Sequence, residues 1–415
     1  MKRAVITGIG VLAPLGNTVE ELWQNLKAGM SGVSTVDRFD ASRFDSRIAA
    51  QVKGFDPTAY LDKKELRRTD VVQQYVIVAA ESAIKDAQLN LDAVDKERVG
   101  VVTGSGIGGI LSFEEQHSIL LTKGPSKVSP FFISMMIIDM LSGLVSLRYG
   151  FKGPNYCTVS ACASSAQAIG DALRIIQRGE ADIVVTGGAE AAITEMAFAG
   201  FCSARALSTR NDQPEKASRP FDIDRDGFVM GEGAAILVVE EEEYAKKRGA
   251  KIYADLIGCG MSADAYHVTA PSPDGDGAAR SMRAALKDAG LSSEQVGYIN
   301  THGTSTPLGD IAETMAIKSV FGERAGSIAI NSSKSMIGHM LGGAGAIEAV
   351  VTALSLRDGF VHPTINIENQ DPQCDLNYTR DGGKAVDIRF ALSNSFGFGG
   401  HNVTLALGKH VDSSG

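Results

Sequence analysis

A basic surplus is missing from this chain. It has 40 lysines and arginines against 49 aspartates and glutamates, a formal charge of −9. A dedicated nucleic-acid binder needs a basic face, so that class is excluded. No segment reaches the roughly 18 uninterrupted apolar residues of a membrane span, which argues against stable membrane association. Cysteines are few, five in all, with neither metal-ligand spacing nor a disulfide framework. They imply no metal and a reducing, cytoplasmic setting. Aromatic residues make up only 6%, while glycines number 46 and apolar residues 44%. That balance describes a tightly turned globular protein and excludes disorder. The first ten residues imitate a signal peptide, but Gly8, Gly10, Pro14 and Gly16 interrupt the apolar run, so Ala4–Thr7 reads as a buried strand.

What is present is alternation. The patterning predicts a helix over Thr18–Lys27 capped near Asn17, and further helices over Asp70–Gln88, Ile133–Arg148 and Ala163–Arg178. Strands are expected at Val99–Thr103, Cys157–Ser160, Ala181–Gly187 and Gly233–Glu240, with a polar loop over Ser203–Pro220. Glu240–Glu243 with Lys246–Arg248 reads as a solvated helix face. A second set follows: strands at Lys251–Gly260, Gly297–Asn300, Ile328–Asn331, Phe390–Ser393 and Asn402–Leu407, and helices at Asp276–Ala289, Asp310–Phe321 and Ala344–Asp358. Strands alternating with helices imply an α/β fold with parallel-rich, helix-covered sheets. Asn155–Gly188 is echoed by Ser327–Asp358, and Gly227–Leu237 by Gly397–Leu405, which favours duplication. The expected division is residues 1–250 and 251–415, the first half carrying the candidate cysteine described next and the second both candidate histidines.

Cys162 sits where an extended run breaks into a long helical pattern. A thiol there meets unpaired N–H groups and the positive end of the helix, both of which favour thiolate. His302 and His339 each follow a buried strand pattern and lie in small, glycine-containing segments typical of active-site loops. Lys334 stands among serines on an apolar background.

Ala161-Cys162-Ala163-Ser164, Thr301-His302-Gly303-Thr304-Ser305-Thr306, Lys334 with Gly338-His339, and Asn394-Ser395-Phe396-Gly397-Phe398-Gly399-Gly400 occur in one order along most of the chain. In these segments the chain resembles the elongating β-ketoacyl-acyl-carrier-protein synthases, in particular the ketoacyl synthase II type. The resemblance implies a duplicated thiolase-like fold with α-β-α-β-α layers. It implies an acyltransferase that joins a cysteine-bound acyl group to a malonyl group with loss of carbon dioxide, in fatty acid elongation and without a cofactor. Cys162 would be the nucleophile, and His302 and His339 the donors to the enolate. Lys334 paired with Glu348 would tune the histidines, and Thr304 and Thr306 would bind the malonyl carboxylate or the pantetheine amides. The N–H of Cys162 and that of Phe398 or its neighbour Gly399 would form an oxyanion hole, with Phe396 and Phe398 as gates. Ile107 and Phe201 would line the acyl pocket, as would Phe132 or Ile133 reaching into the partner's pocket across a homodimer interface. Lys63, Lys64, Arg67, Arg68 and Arg205 would dock an acidic acyl carrier protein.

The chain departs from the usual pattern at Tyr156-Cys157, at Ala163-Ser164-Ser165 and at His401. These positions leave acyl specificity open, and with it a polyketide or aryl-polyene ketosynthase. A thiolase would need a second cysteine in the last glycine-rich loop, where Phe396 and Phe398 stand.

Overall fold

The computed structural model describes residues 1–411; the end of the second half, residues 412–415, lies outside them. Ten strands form the main sheet: β1 (Ala4–Leu12), β2 (Val99–Gly104), β3 (Asn155–Thr158), β4 (Ile183–Glu190), β5 (Gly233–Glu241), β6 (Ala254–Ala263), β7 (Val296–Asn300), β8 (Ala329–Asn331), β9 (Phe390–Gly397) and β10 (His401–Gly408). Their order is β8-β7-β9-β10-β6-β1-β5-β4-β2-β3. Read outward from the centre, β1-β5-β4-β2-β3 and β6-β10-β9-β7-β8 repeat one topology. The inner pairs are antiparallel and the outer pairs parallel in both. The two runs join only through Ala4–Ile6 against Ala254–Leu256.

Helices α1 (Val71–Asp86), α2 (Ser164–Arg178), α3 (Asp276–Ala289) and α4 (Ala344–Asp358) complete the layers. Both α2 and α4 touch strands of both runs, and α4 is buried almost throughout, so it carries no amphipathic stripe. Outside them, α1 covers β1 and β5, while α3 covers β6 and β10. The result is helix, sheet, helix, sheet, helix, the expected α/β arrangement. Among the described residues, no helix is long and apolar enough to cross a membrane.

Several local expectations need correction. The first strand does not stop at Thr7 but runs to Leu12. Gly8 and Gly10 are packing positions: a Cβ would lie 2.4 Å from Ala83 O at Gly8 and 2.0 Å from Ala79 O at Gly10, so their lack of one lets α1 lie on the strand. The expected helix Ile133–Arg148 is two helices, Phe132–Met136 and Met140–Tyr149. Carbonyls at the end of the first are taken by Gln73 Nε2 and Gly109 N, and Ile137 turns to extended backbone. Thr18, rather than Asn17, caps the first helix by accepting from Glu21 N at 3.2 Å. Glu240 and Glu242 are buried rather than solvated, and Glu240 pairs with Arg248 and Thr7.

Candidate active site

Three strand ends and their loops converge where the two halves meet. β3 leads into a single 3₁₀ turn, Ala161–Ala163, and α2 begins after it. Ala161 has φ +51°, so the chain bends sharply into Cys162. β7 leads into the loop carrying His302, and the short helix Lys334–Ile337 after β8 leads to His339. Cys162 Sγ, one ring nitrogen of His302 and one of His339 all lie within 4.8 Å of one another. The imidazoles meet edge to face, with centroids 5.2 Å apart at 85°. All three residues line a largely apolar cavity of about 240 Å³.

Burial governs the electrostatics. It pushes the Cys162 thiol up to about 12, against the opposing pull of the Lys334 cation. Burial thus opposes the preference for thiolate that the helix-start position gives. Desolvation of a charged sulfur outweighs the donors around it. Those donors are the N–H groups of Phe398 and of Cys162 itself, which act in the opposite direction and lower the thiol value. Close approach of the Phe398 loop depends on Gly397, where a Cβ would lie 2.7 Å from Ser160 O and 3.0 Å from Cys162 N.

Both histidines are held well below the ordinary histidine value, first by burial and then by Lys334. They are neutral at physiological pH, and their Nδ1 atoms are buried without a hydrogen-bond partner. Lys334 is paired with Glu348, and neither side chain reaches the cavity. Burial raises the Glu348 carboxyl while Lys334 lowers it. The Cys162, His302 and His339 atoms also form a possible set of metal ligands. The Lys334 cation, which disfavours a proton on either imidazole, disfavours a metal cation for the same electrostatic reason.

Ile107, Phe201, Thr304, Thr306, Phe396 and Phe398 all line the cavity, and the two threonine hydroxyls lie 3.0 Å apart. Phe398 is 37% exposed and stands 6.5 Å from Phe201, whereas Phe396 packs beside His302. Gly399, at φ +83°, shapes the turn without lining the cavity. Phe132 and Ile133 do not line this chain's cavity, and Ile133 is exposed. Lys63, Lys64, Arg67 and Arg68 lie on or just after the helix Lys63–Leu66. Arg205 follows the helix Glu195–Ser203 that carries Phe201, and all five basic residues are exposed.

Two buried carboxylates had no place in the sequence reading. Glu313 accepts from His302 N at 2.9 Å, Gly303 N at 2.8 Å and Asn394 Nδ2 at 3.1 Å, and so fixes the histidine loop. Its signal was present: Asp310 and Glu313 share a helix face with buried Ile317 and Phe321. Glu190 closes the fully buried strand β4, where a terminal acid is itself the anomaly.

The family model for the N-terminal domain of β-ketoacyl synthase matches residues 1–245, and that for the C-terminal domain matches residues 253–368. The 3-oxoacyl-[acyl-carrier-protein] synthase 2 of Synechocystis sp. is 54% identical over 99% of this chain and 98% of its own. The protein of the same name from Coxiella burnetii is 52% identical over 99% of both chains. Among solved structures, a β-ketoacyl synthase from Burkholderia phymatum superimposes with a TM-score of 0.93 at 39% identity, covering 99% of this chain and 100% of that one. A type II polyketide ketosynthase in complex with its acyl carrier protein gives 0.92 at 37%, with the same coverage. The chain belongs to the β-ketoacyl synthase family.

Proposed function

We propose that this protein is a β-ketoacyl-[acyl-carrier-protein] synthase of fatty acid elongation. It joins an acyl group held on Cys162 to malonyl-acyl-carrier protein, releasing 3-oxoacyl-acyl-carrier protein, carbon dioxide and free carrier protein. The observation that carries this reading is the convergence of one cysteine and two histidines held low by burial on the wall of one largely apolar cavity. The 52–54% identity to 3-oxoacyl-[acyl-carrier-protein] synthases 2 favours elongation over the polyketide reading, for which the type II polyketide ketosynthase stands at 37%.

Cys162 sulfur attacks the acyl thioester, and the departing pantetheine thiol takes up the proton. Phe398 N–H and Cys162 N–H stabilise the oxyanion that forms. The malonyl group then binds with its thioester carbonyl at His302 and His339. Loss of carbon dioxide leaves an enolate, and uncharged N–H donors hold its oxygen without being drained of a proton. The enolate carbon attacks the acyl carbonyl, the carbon–sulfur bond to Cys162 breaks, and the thiolate takes a proton from solvent. No external base removes a carbon-bound proton. Lys334 with Glu348 keeps the imidazoles neutral, and Thr304 and Thr306 hold the malonyl end.

Residues 1–250 supply the nucleophile and residues 251–415 both histidines. An acidic acyl carrier protein docks on Lys63, Lys64, Arg67, Arg68 and Arg205, as fits the carrier-bound ketosynthase among the relatives. The working form is a cytoplasmic homodimer in which exposed Ile133, with Phe132, faces the partner's acyl pocket. His302→Ala and His339→Ala separate the half-reactions. Each is expected to lower malonyl decarboxylation by about 10²–10³-fold and to leave substantial acylation of Cys162. Equal loss of both steps would reject this division.

A further inference from the structure

Glu190 is fully buried beside the cavity, and no step above uses it. Its carboxylate accepts from Ser105 Oγ at 2.7 Å, Gly106 N at 2.8 Å, Ile107 N at 3.2 Å and Gly342 N at 2.9 Å. Three of these contacts are N–H groups and the hydroxyl donates equally well, an all-donor partner set that suits a carboxylate and opposes the burial that pushes its pKa up. The Ser105–Ile107 segment follows β2, in the first run of strands. Gly342 belongs to the turn before α4, in the second.

The two loops meet with no space between them. A Cβ on Gly342 would lie 2.1 Å from Gly106 N, and one on Gly106 would lie 2.9 Å from Glu190 Oε2. Next to these contacts stand Ile107 and Leu341, both on the cavity wall and both packed in the apolar cluster that contains Cys162. Leu341 is held at φ +44°, a conformation a leucine adopts only when its surroundings impose it. An apolar side chain could join two loops without the desolvation cost of a buried carboxylate. What the carboxylate adds is several directed bonds, and hence a fixed spacing.

We infer that Glu190 is a positioning residue that sets the separation of Ile107 and Leu341, and through it which acyl chains fit beside Cys162. This rests on the condensing function proposed above. Glu190→Gln keeps the shape but turns an NH₂ group toward N–H donors, and Ser105→Ala removes one donor. The test is the ratio of Cys162 acylation rates with hexanoyl- and hexadecanoyl-carrier protein, measured for each full-length variant. The ratio is taken within one preparation, so a fraction of inactive protein cancels.

Glu190→Gln is expected to move the ratio by about tenfold, the scale on which pocket shape discriminates, and Ser105→Ala to move it less in the same direction. An unchanged ratio in both variants would overturn the inference while leaving the proposed function intact. If Glu190→Gln does not fold, Ser105→Ala decides by the same criterion. A wild type that takes up neither acyl group would instead overturn the proposed function, and the inference with it.

Discussion

The ammonium of Lys334 and the carboxylate of Glu348 are ion-paired with only 2% and 0% of their side chains exposed. This pair lies behind the two histidines, and its cation is the second cause, after burial, that keeps both imidazoles neutral.

Lys334→Met is therefore expected to change two quantities. Glu348 is left buried without its partner, which costs about 3–5 kcal/mol of stability in a denaturant titration. The pH profile of malonyl decarboxylation moves as well. A histidine held low stays neutral, and active, until the pH falls through its depressed value. Removing the cation removes one depressing cause while burial remains, so the acid limb shifts to higher pH. The double variant Lys334→Met/Glu348→Leu should regain most of the stability and keep the shifted limb. An unmoved limb in both variants would show that Lys334 does not tune the histidines.

Gly397→Ala tests the pair of N–H groups at the sulfur. The added methyl cannot fit 2.7 Å from Ser160 O, so the loop must withdraw and carry Phe398 N–H away from Sγ. Loss of one oxyanion donor is expected to slow Cys162 acylation by about 10²–10³-fold. Near-normal acylation would place the second donor elsewhere.

Arg67→Glu/Arg205→Glu tests docking. Arg68 is left in place because its guanidinium lies 4.4 Å from the Phe131 ring centre, so changing it would also disturb packing. KM for malonyl-carrier protein is expected to rise several-fold, whereas decarboxylation of a small malonyl thioester lacking the protein stays the same. Added salt should weaken the wild type more than the variant, because screening removes an attraction the variant no longer has. Unchanged carrier-protein kinetics at low salt would place the docking surface elsewhere.

How legible all this was depended on the range of the forces involved. Helices Asp276–Ala289 and Ala344–Asp358 have the ends expected for them, because each stops at a glycine free to adopt positive φ, Gly290 and Gly359. Cys162, His302 and His339 were legible as candidates because each stands in a small, polar segment after an apolar strand. The helix Ile110–Lys123 was not foreseen: only Ser112 and Gln116 along it are buried, so it has no apolar stripe to read. The upward push of burial on the Cys162 thiol was not legible because the helix-start argument is local, whereas desolvation comes from residues the fold brings in, such as Met230 and Leu341. The partners of Glu190 are likewise distant in sequence. An acid in an apolar segment signals an anomaly, but its partners, such as Gly342 for Glu190, are set by the fold.

The central claim is that Cys162 alone carries the acyl group. The direct measurement is brief exposure of the full-length protein to an acyl-carrier-protein thioester, followed by proteolysis and mass mapping of the modified residue. The expected result is one acyl group per chain, on Cys162, and none in Cys162→Ser, which also loses condensation. An acyl group found instead on Cys157, Cys202, Cys259 or Cys374 would contradict the mechanism.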